Sequence, residues 1–190
     1  MLMRRWFPFV GLFVVLVLFR LIGAWQGWAL SPLPALFLLS FVFLPGRGRW
    51  LFPLAAWVVT DPLLNAFYGY PMLTWDHLGI VAGLASMLVL VPWMQRDASW
   101  LRGLLGSLMA AVLFYFIANT ISFFTLPQFY ARSGEGFLQA QWTGPPGLGP
   151  TWVFLRNSCL SNVVFSAIFL LALRPLFPKF SVRVPASELI

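Results

Sequence analysis

A small set of polar side chains interrupts the apolar stretches of this sequence, and their types define the available chemistry. Such groups are costly in a hydrocarbon environment unless they meet a partner or a ligand, so they are the natural candidates for a binding site. Carboxylate and imidazole groups can bind cations or hold protons, amides orient a ligand, and the planar guanidinium of arginine binds two oxygens of a carboxylate or phosphate. The candidate binding residues are Asp61, Asn65, Asn119, Arg156 and Asn157, with His77 and Trp142 as lid or ligand-facing residues.

Asp61 has two interpretations. It immediately precedes Pro62, and a proline inside a helix bends it and leaves a backbone carbonyl without its helical donor. Asp61 either binds a cationic or hydrogen-bonding group of a ligand, or forms a structural ion pair. Arg20 and Arg156 are both available as partners in such a pair, and the choice between them is open at the level of the sequence.

Residues for catalysis or metal binding are scarce. The chain has one histidine and one cysteine, Cys159, which is too few for a zinc or iron–sulfur cluster. The sequence contains no phosphate-binding loop, no paired-carboxylate hydrolase pattern and no serine–histidine arrangement. We therefore expect no enzyme activity, no metal and no cofactor. A membrane-embedded enzyme acting on a lipid, with Asp61 or His77 as base, is the remaining catalytic alternative.

Composition excludes a water-soluble fold. The 190 residues are 61% hydrophobic and 9% charged, with a mean hydropathy of +0.86, whereas a soluble domain carries roughly a quarter charged residues. The net charge of +7 comes from basic residues at the edges of apolar runs, where they mark membrane topology, and we expect no nucleic-acid partner. The sequence predicts an all-α membrane protein embedded in a lipid bilayer.

Six apolar segments predict a compact bundle of six transmembrane helices in a single domain, 1–190. The segment between the last two helices is rich in glycine, proline and aromatic residues, and a connection of that length is usually functional or disordered. The predicted helices are 6–24, 32–44, 50–68, 75–93, 101–124 and 152–173, with an extracytoplasmic loop over 125–151.

The distribution of basic residues predicts the orientation. Positive side chains near helix ends are retained on the cytoplasmic side. The pattern fits six helices in a bacterial cytoplasmic (inner) membrane, with both the N-terminus and the C-terminus on the cytoplasmic side. Nine of the twelve basic residues then lie inside, namely Arg4, Arg5, Arg47, Arg49, Arg96, Arg102, Arg174, Lys179 and Arg183, and Arg20, Arg132 and Arg156 lie on the outer side.

The same topology makes the protein polar at one end. Apart from Trp142 in the predicted loop, the candidate binding residues fall in the outer halves of the predicted helices, with Asp61 nearer the middle, whereas the inner halves are almost wholly apolar. Small residues at four-residue spacing, Gly79 with Gly83 and Gly103 with Ser107, permit close helix packing. They fit a compact bundle or a docking face for another membrane subunit equally well.

Four segments together resemble an uncharacterised bacterial membrane family that is similar to the substrate-binding S components of energy-coupling factor (ECF) transporters. They are SPLPALFLL (31–39), PLAAWVVTDPLLNAFYG (53–69), FYFIANTISFF (114–124) and TWVFLRNSCLSNVVFSAIF (151–169). The resemblance implies a six-helix bundle whose outer half holds a vitamin-like or other small solute under extracellular loops. It also implies partners that supply energy, namely a transmembrane scaffold subunit and cytosolic ATPases.

From residues and resemblance together we expect an integral membrane solute-binding subunit of an uptake transporter. The alternative from another class is a structural or assembly subunit of a larger membrane complex, which would copurify with that complex and hold no ligand.

Overall fold

The computed structural model describes residues 2–27, 30–44, 46–72, 75–96, 99–147 and 149–173. These residues form helices and no strand. A 3₁₀ turn, Leu88–Leu90, joins α4 to α5 without a break in the chain. The helices are α1 (Leu2–Trp25), α2 (Leu33–Phe43), α3 (Gly48–Tyr68), α4 (Asp76–Met87), α5 (Val91–Arg96), α6 (Trp100–Thr125), α7 (Gly134–Gln141) and α8 (Thr151–Leu173).

Helix α2 lies at the centre of the bundle. It packs against α3, α6 and α8, and eight of its eleven residues are buried. Leu38 and Leu39 have no exposed surface at all. Eleven residues rise only about 16 Å, well short of the roughly 30 Å hydrocarbon core, so α2 by itself does not cross a bilayer.

Small residues bring α4, α6 and α8 into close contact. A Cβ added at Gly79 would lie 3.2 Å from the Ala118 carbonyl oxygen, and one at Gly83 would lie 2.7 Å from the Phe114 ring. Gly103 similarly meets Leu170 of α8, and Ser107 hydrogen-bonds Ser166. These ridges therefore pack the inside of the bundle. These residues therefore do not form a docking face for another membrane subunit, which was the alternative that the sequence allowed.

Helix α3 is peripheral and mostly exposed. It packs against α1 and α2 through Ala56 and Thr60, while Leu51, Val58 and Phe67 are more than half exposed. Large apolar side chains displayed along a helix in this way are typical of a lipid-facing surface.

The 125–151 connection contains a helix that the sequence did not predict. Helix α7 begins after Ser133, whose hydroxyl accepts a 3.1 Å hydrogen bond from the backbone N–H of Gly136. Its Phe137 ring packs edge-on against Phe123 of α6, with centroids 5.5 Å apart. Arg132 donates to the Phe123 and Phe124 carbonyls and so closes the end of α6. The described part of this connection therefore contains a helix that packs on α6.

The structure supports a helical membrane protein. Four described helices are long and apolar enough to cross a bilayer, namely Gly48–Tyr68, His77–Arg96, Trp100–Thr125 and Thr151–Ala172. Six crossings and cytoplasmic termini stay predictions. Arg174, Lys179 and Arg183, which support the inside position of the C-terminus, lie outside the described residues.

Candidate functional site

The Asp61 carboxylate is the centre of a cluster between α1, α3 and α4. We call it the charged cluster, and its members are Arg20, Thr60, Asp61, Asn65 and His77. Its Oδ1 accepts from Arg20 Nη2 at 3.2 Å, and the two side chains are only 16% and 13% exposed. Arg20 Nη1 also donates to Thr60 Oγ1 at 2.6 Å. The structural ion pair is thus formed with Arg20, the closer candidate in the fold, and Arg156 does not take part.

The second carboxylate oxygen connects α3 to α4. Asp61 Oδ2 lies 3.0 Å from His77 Nε2 and 3.4 Å from Asn65 Nδ2. An ionised carboxylate can only accept, so His77 carries its proton on Nε2 when Asp61 is charged. The Trp57 ring lies 6.3 Å from the imidazole ring. One carboxylate therefore holds three helices together at the same level.

Helical spacing explains why these side chains meet. Asp61 and Asn65 are four residues apart and share one face of α3. Asp61 lies seven residues before the end of α3 at Tyr68, which places it about 10 Å below that end. Arg20 lies five residues before the end of α1, at a similar depth in the predicted topology. The cluster thus belongs to the half of the bundle that the sequence predicts to face outwards.

A narrow cleft opens beside Arg20. Its cavity volume is about 10 Å³, roughly the space of one water molecule and far below the roughly 300–1,000 Å³ of typical ligand pockets. Apolar side chains form most of its wall, with Arg20 and Thr60 as the polar exceptions. The lining residues are Leu16, Val17, Arg20, Pro32, Leu33, Leu36, Ala56 and Thr60.

A second, uncharged cluster lies between α6 and α7, and we call it the amide cluster: Tyr115, Asn119, Thr120 and Gln141. The Tyr115 hydroxyl donates to the Gln141 carbonyl oxygen, and Gln141 Nε2 donates to Thr120 Oγ1 at 3.1 Å. Asn119 is 9% and Gln141 6% exposed. Two of their buried polar atoms, Asn119 Nδ2 and Gln141 Oε1, have no hydrogen-bond partner among the described residues.

Arg156 and Asn157 form a pair near the start of α8. Arg156 Nε donates to Asn157 Oδ1 at 3.2 Å, and the guanidinium carbon lies 5.6 Å above the Trp152 ring. Asn157 is buried, whereas Arg156 is exposed. The guanidinium is consequently presented at the bundle surface next to Trp152.

The structure therefore divides the candidate binding residues. Asp61, Asn65 and His77 meet in the charged cluster, Asn119 belongs to the amide cluster, and the α8 pair stands apart. Trp142 follows α7 and is 59% exposed. Its carbonyl accepts from the backbone N–H of Trp152 at 3.1 Å, which ties the two ends of the intervening turn together.

Sequence reasoning missed Tyr115 and Gln141. Tyr115 lies one helical turn before Asn119, so the shared face of α6 could have indicated it. Gln141 gave no such signal, because it lies in a connection whose helix has only eight residues. The described residues contain no group of three or more side chains that could hold a metal ion.

Comparison with known proteins gives one match. A family model described as a family of unknown function, DUF6580, matches residues 2–183. No curated protein and no solved structure matches the chain. Since the family model spans nearly all of the sequence, the chain belongs to DUF6580, a family of unknown function.

Proposed function

We propose that this protein is an integral membrane solute-binding subunit of an uptake transporter, similar in its role to the S components of ECF transporters. The solute is a vitamin-like or other small molecule, bound in the outer half of the bundle. The proposed location is the bacterial cytoplasmic membrane, with both termini inside. A transmembrane scaffold subunit and cytosolic ATPases are the proposed energy-supplying partners.

The observation that carries the proposal is the collection of polar side chains at one level of an otherwise apolar bundle. The contacts of Gly79 with Ala118 and of Gly83 with Phe114 set the antiparallel register of α4 and α6. That register brings His77, at the start of α4, level with Thr120. The charged cluster and the amide cluster therefore lie at the same height. Polar groups concentrated in this way favour a binding function over a purely structural one.

Polar atoms that lack partners strengthen this argument. An unpaired buried amide lowers the stability of a protein, since an apolar residue of similar size would be more stable there. Asn119 and Gln141 each keep one such atom under α7. A ligand that forms hydrogen bonds with these two atoms explains why both amides are present.

A structural or assembly subunit is the second candidate, and the exposed apolar face of α3 favours it. Leu51, Leu54, Val58 and Leu63 would serve as well for contact with another membrane protein as for contact with lipid. The internal use of the glycine ridges removes the most common type of helix-docking surface from this candidate.

Native mass spectrometry of the protein, gently extracted from its own membranes, tests the proposal. We expect one non-lipid small molecule bound per chain, with copurifying subunits of a transporter. Lipids provide the internal control, because they bind in variable number. A ligand-free chain in fixed stoichiometry with a large complex would contradict solute binding and support the structural role.

A further inference from the structure

We infer that the amide cluster between α6 and α7 is the recognition site for the solute, and that the solute is a neutral compound with a hydrogen-bond acceptor beside a donor. A primary amide, a lactam or a similar ring edge has this pattern. Asn119 Nδ2 would donate to the acceptor, and Gln141 Oε1 would accept from the donor. This inference rests on the proposed function and specifies the chemistry of its ligand.

The unpaired atoms define what is missing. Buried side-chain donors and acceptors are almost always paired in folded proteins, and each exception calls for an explanation. Asn119 and Gln141 are both more than nine-tenths buried, and the part of the chain that the structure describes contains no partner for Asn119 Nδ2 or Gln141 Oε1. One is a donor and the other an acceptor, so together they match a ligand edge that presents both.

The orientation of the Gln141 amide follows from its neighbour. Thr120 donates its hydroxyl proton to the Phe116 carbonyl at 2.7 Å, so its Oγ1 can only accept a further bond. The Gln141 nitrogen must therefore face Thr120, where it lies at 3.1 Å. The Gln141 Oε1 atom then points away from Thr120 and is an acceptor without a partner among the described residues.

The Asn119 side chain lies on the face of α6 that meets α7. Tyr115 one turn before it binds the Gln141 carbonyl, and Phe123 one turn after it packs against Phe137. Residues at this spacing share one helix face. Asn119 is thus enclosed between two contacts with α7, and α7 with Gln141 forms the cover of the site.

The charged cluster explains why a neutral solute is expected. Asp61 is paired with Arg20 and hydrogen-bonded by His77 and Asn65, so its charge is already matched inside the protein. An ionic solute would need a counter-charge, and the amide cluster offers none. The charged cluster therefore joins helices, whereas the amide cluster contains a donor and an acceptor that no described residue pairs.

The experiment compares three variants by native mass spectrometry and thermal unfolding of the extracted protein. Asn119→Leu and Gln141→Leu each remove one proposed ligand contact. Asn162→Leu is the matched control, because Asn162 is also a buried amide with an unpaired atom but lies deeper on α8. We expect the bound fraction to fall at least about tenfold in the first two variants and to stay unchanged in the control.

Thermal unfolding provides a readout that does not need the ligand. If the Asn119 amide has no protein partner, Asn119→Leu raises the unfolding midpoint of the solute-free protein, and Asn119→Ala gives a second variant in case leucine does not fit. A lowered midpoint in both would show that the amide is paired within the protein and would overturn the inference.

The mass measurement separates failure of this inference from failure of the proposed function. A solute that remains bound in both amide variants, or one that proves to be ionic, would overturn the inference while leaving solute binding intact. A wild-type protein without any solute would overturn both.

Discussion

At the scale of single residues, Asp61 joins three helices of this protein. Its two carboxylate oxygens accept from α1 and α4, and it lies on α3, so three helices depend on one side chain. The sequence identified Asp61, Asn65 and His77 as important, yet it could not distinguish a ligand site from a structural junction. The structure shows the junction, because Arg20, His77 and Asn65 all contact the Asp61 carboxylate, whereas ligand binding by Asp61 stays a prediction.

Replacing Asp61 tests the ion pair. Asp61→Leu leaves the mostly buried Arg20 without a counter-charge, so we expect a loss of about 3–5 kcal/mol in the free energy of unfolding. The double variant Arg20→Met/Asp61→Leu removes both charges and should recover much of that loss. Unfolding in mixed detergent measures the difference. A double variant as unstable as the sum of both single ones would contradict a direct pair.

His77 and Asn65 donate to the same Asp61 oxygen and can be compared directly. The His77 contact is 3.0 Å and joins two helices, whereas the Asn65 contact is 3.4 Å and lies within α3. We expect His77→Ala to cost about 1.5–3 kcal/mol and Asn65→Ala less than about 1 kcal/mol. The same unfolding assay measures both, and an equal loss would show that the His77 bond between α4 and α3 contributes no more to stability than the Asn65 bond within α3.

At the scale of elements, two features decide the shape of the bundle: close packing at glycines and the capping helix α7. The glycine spacing was visible in the sequence. The sequence did not show which neighbouring helix the glycines face, since the rotation of a helix about its axis depends on all its neighbours. Helix α7 was not predicted because its eight residues have mixed polarity and adjoin a segment rich in glycine and proline.

Gly136→Ala tests whether α7 is seated as described. A Cβ at this position would overlap the Ala131 carbonyl oxygen, a backbone atom that cannot turn aside. We expect a loss of about 1–3 kcal/mol, a lower unfolding midpoint and a loss of bound solute. Gly134→Ala is the matched control in the same helix, since nothing lies within 4 Å of its Cβ position. Equal behaviour of the two variants would contradict the placement of α7.

At the scale of the whole molecule, the amino-acid composition predicts a bilayer and the basic residues predict the orientation. The four long apolar helices agree with the first prediction. The second concerns the two sides of a membrane and stays a prediction.

Cysteine labelling tests the orientation. In a Cys159→Ser background, Gln128→Cys lies in the exposed connection before α7, and Arg47→Cys lies in the exposed turn before α3. We expect a membrane-impermeant maleimide to label the first in intact cells and the second only after permeabilisation. Both substitutions leave most of the basic residues in place, so the charge bias persists. The reverse labelling pattern would invert the predicted topology.

The sequence by itself determined the class of protein, the approximate positions of its long helices and the polar residues of interest, because these depend on composition and on periodicity along one helix. Only the tertiary structure decided that Asp61 pairs with Arg20, 41 residues away, and that Gln141 of α7 hydrogen-bonds Thr120 of α6. Such contacts depend on how helices rotate and align against each other. That alignment is set by the packing of the whole bundle at once, and no local stretch of sequence contains it.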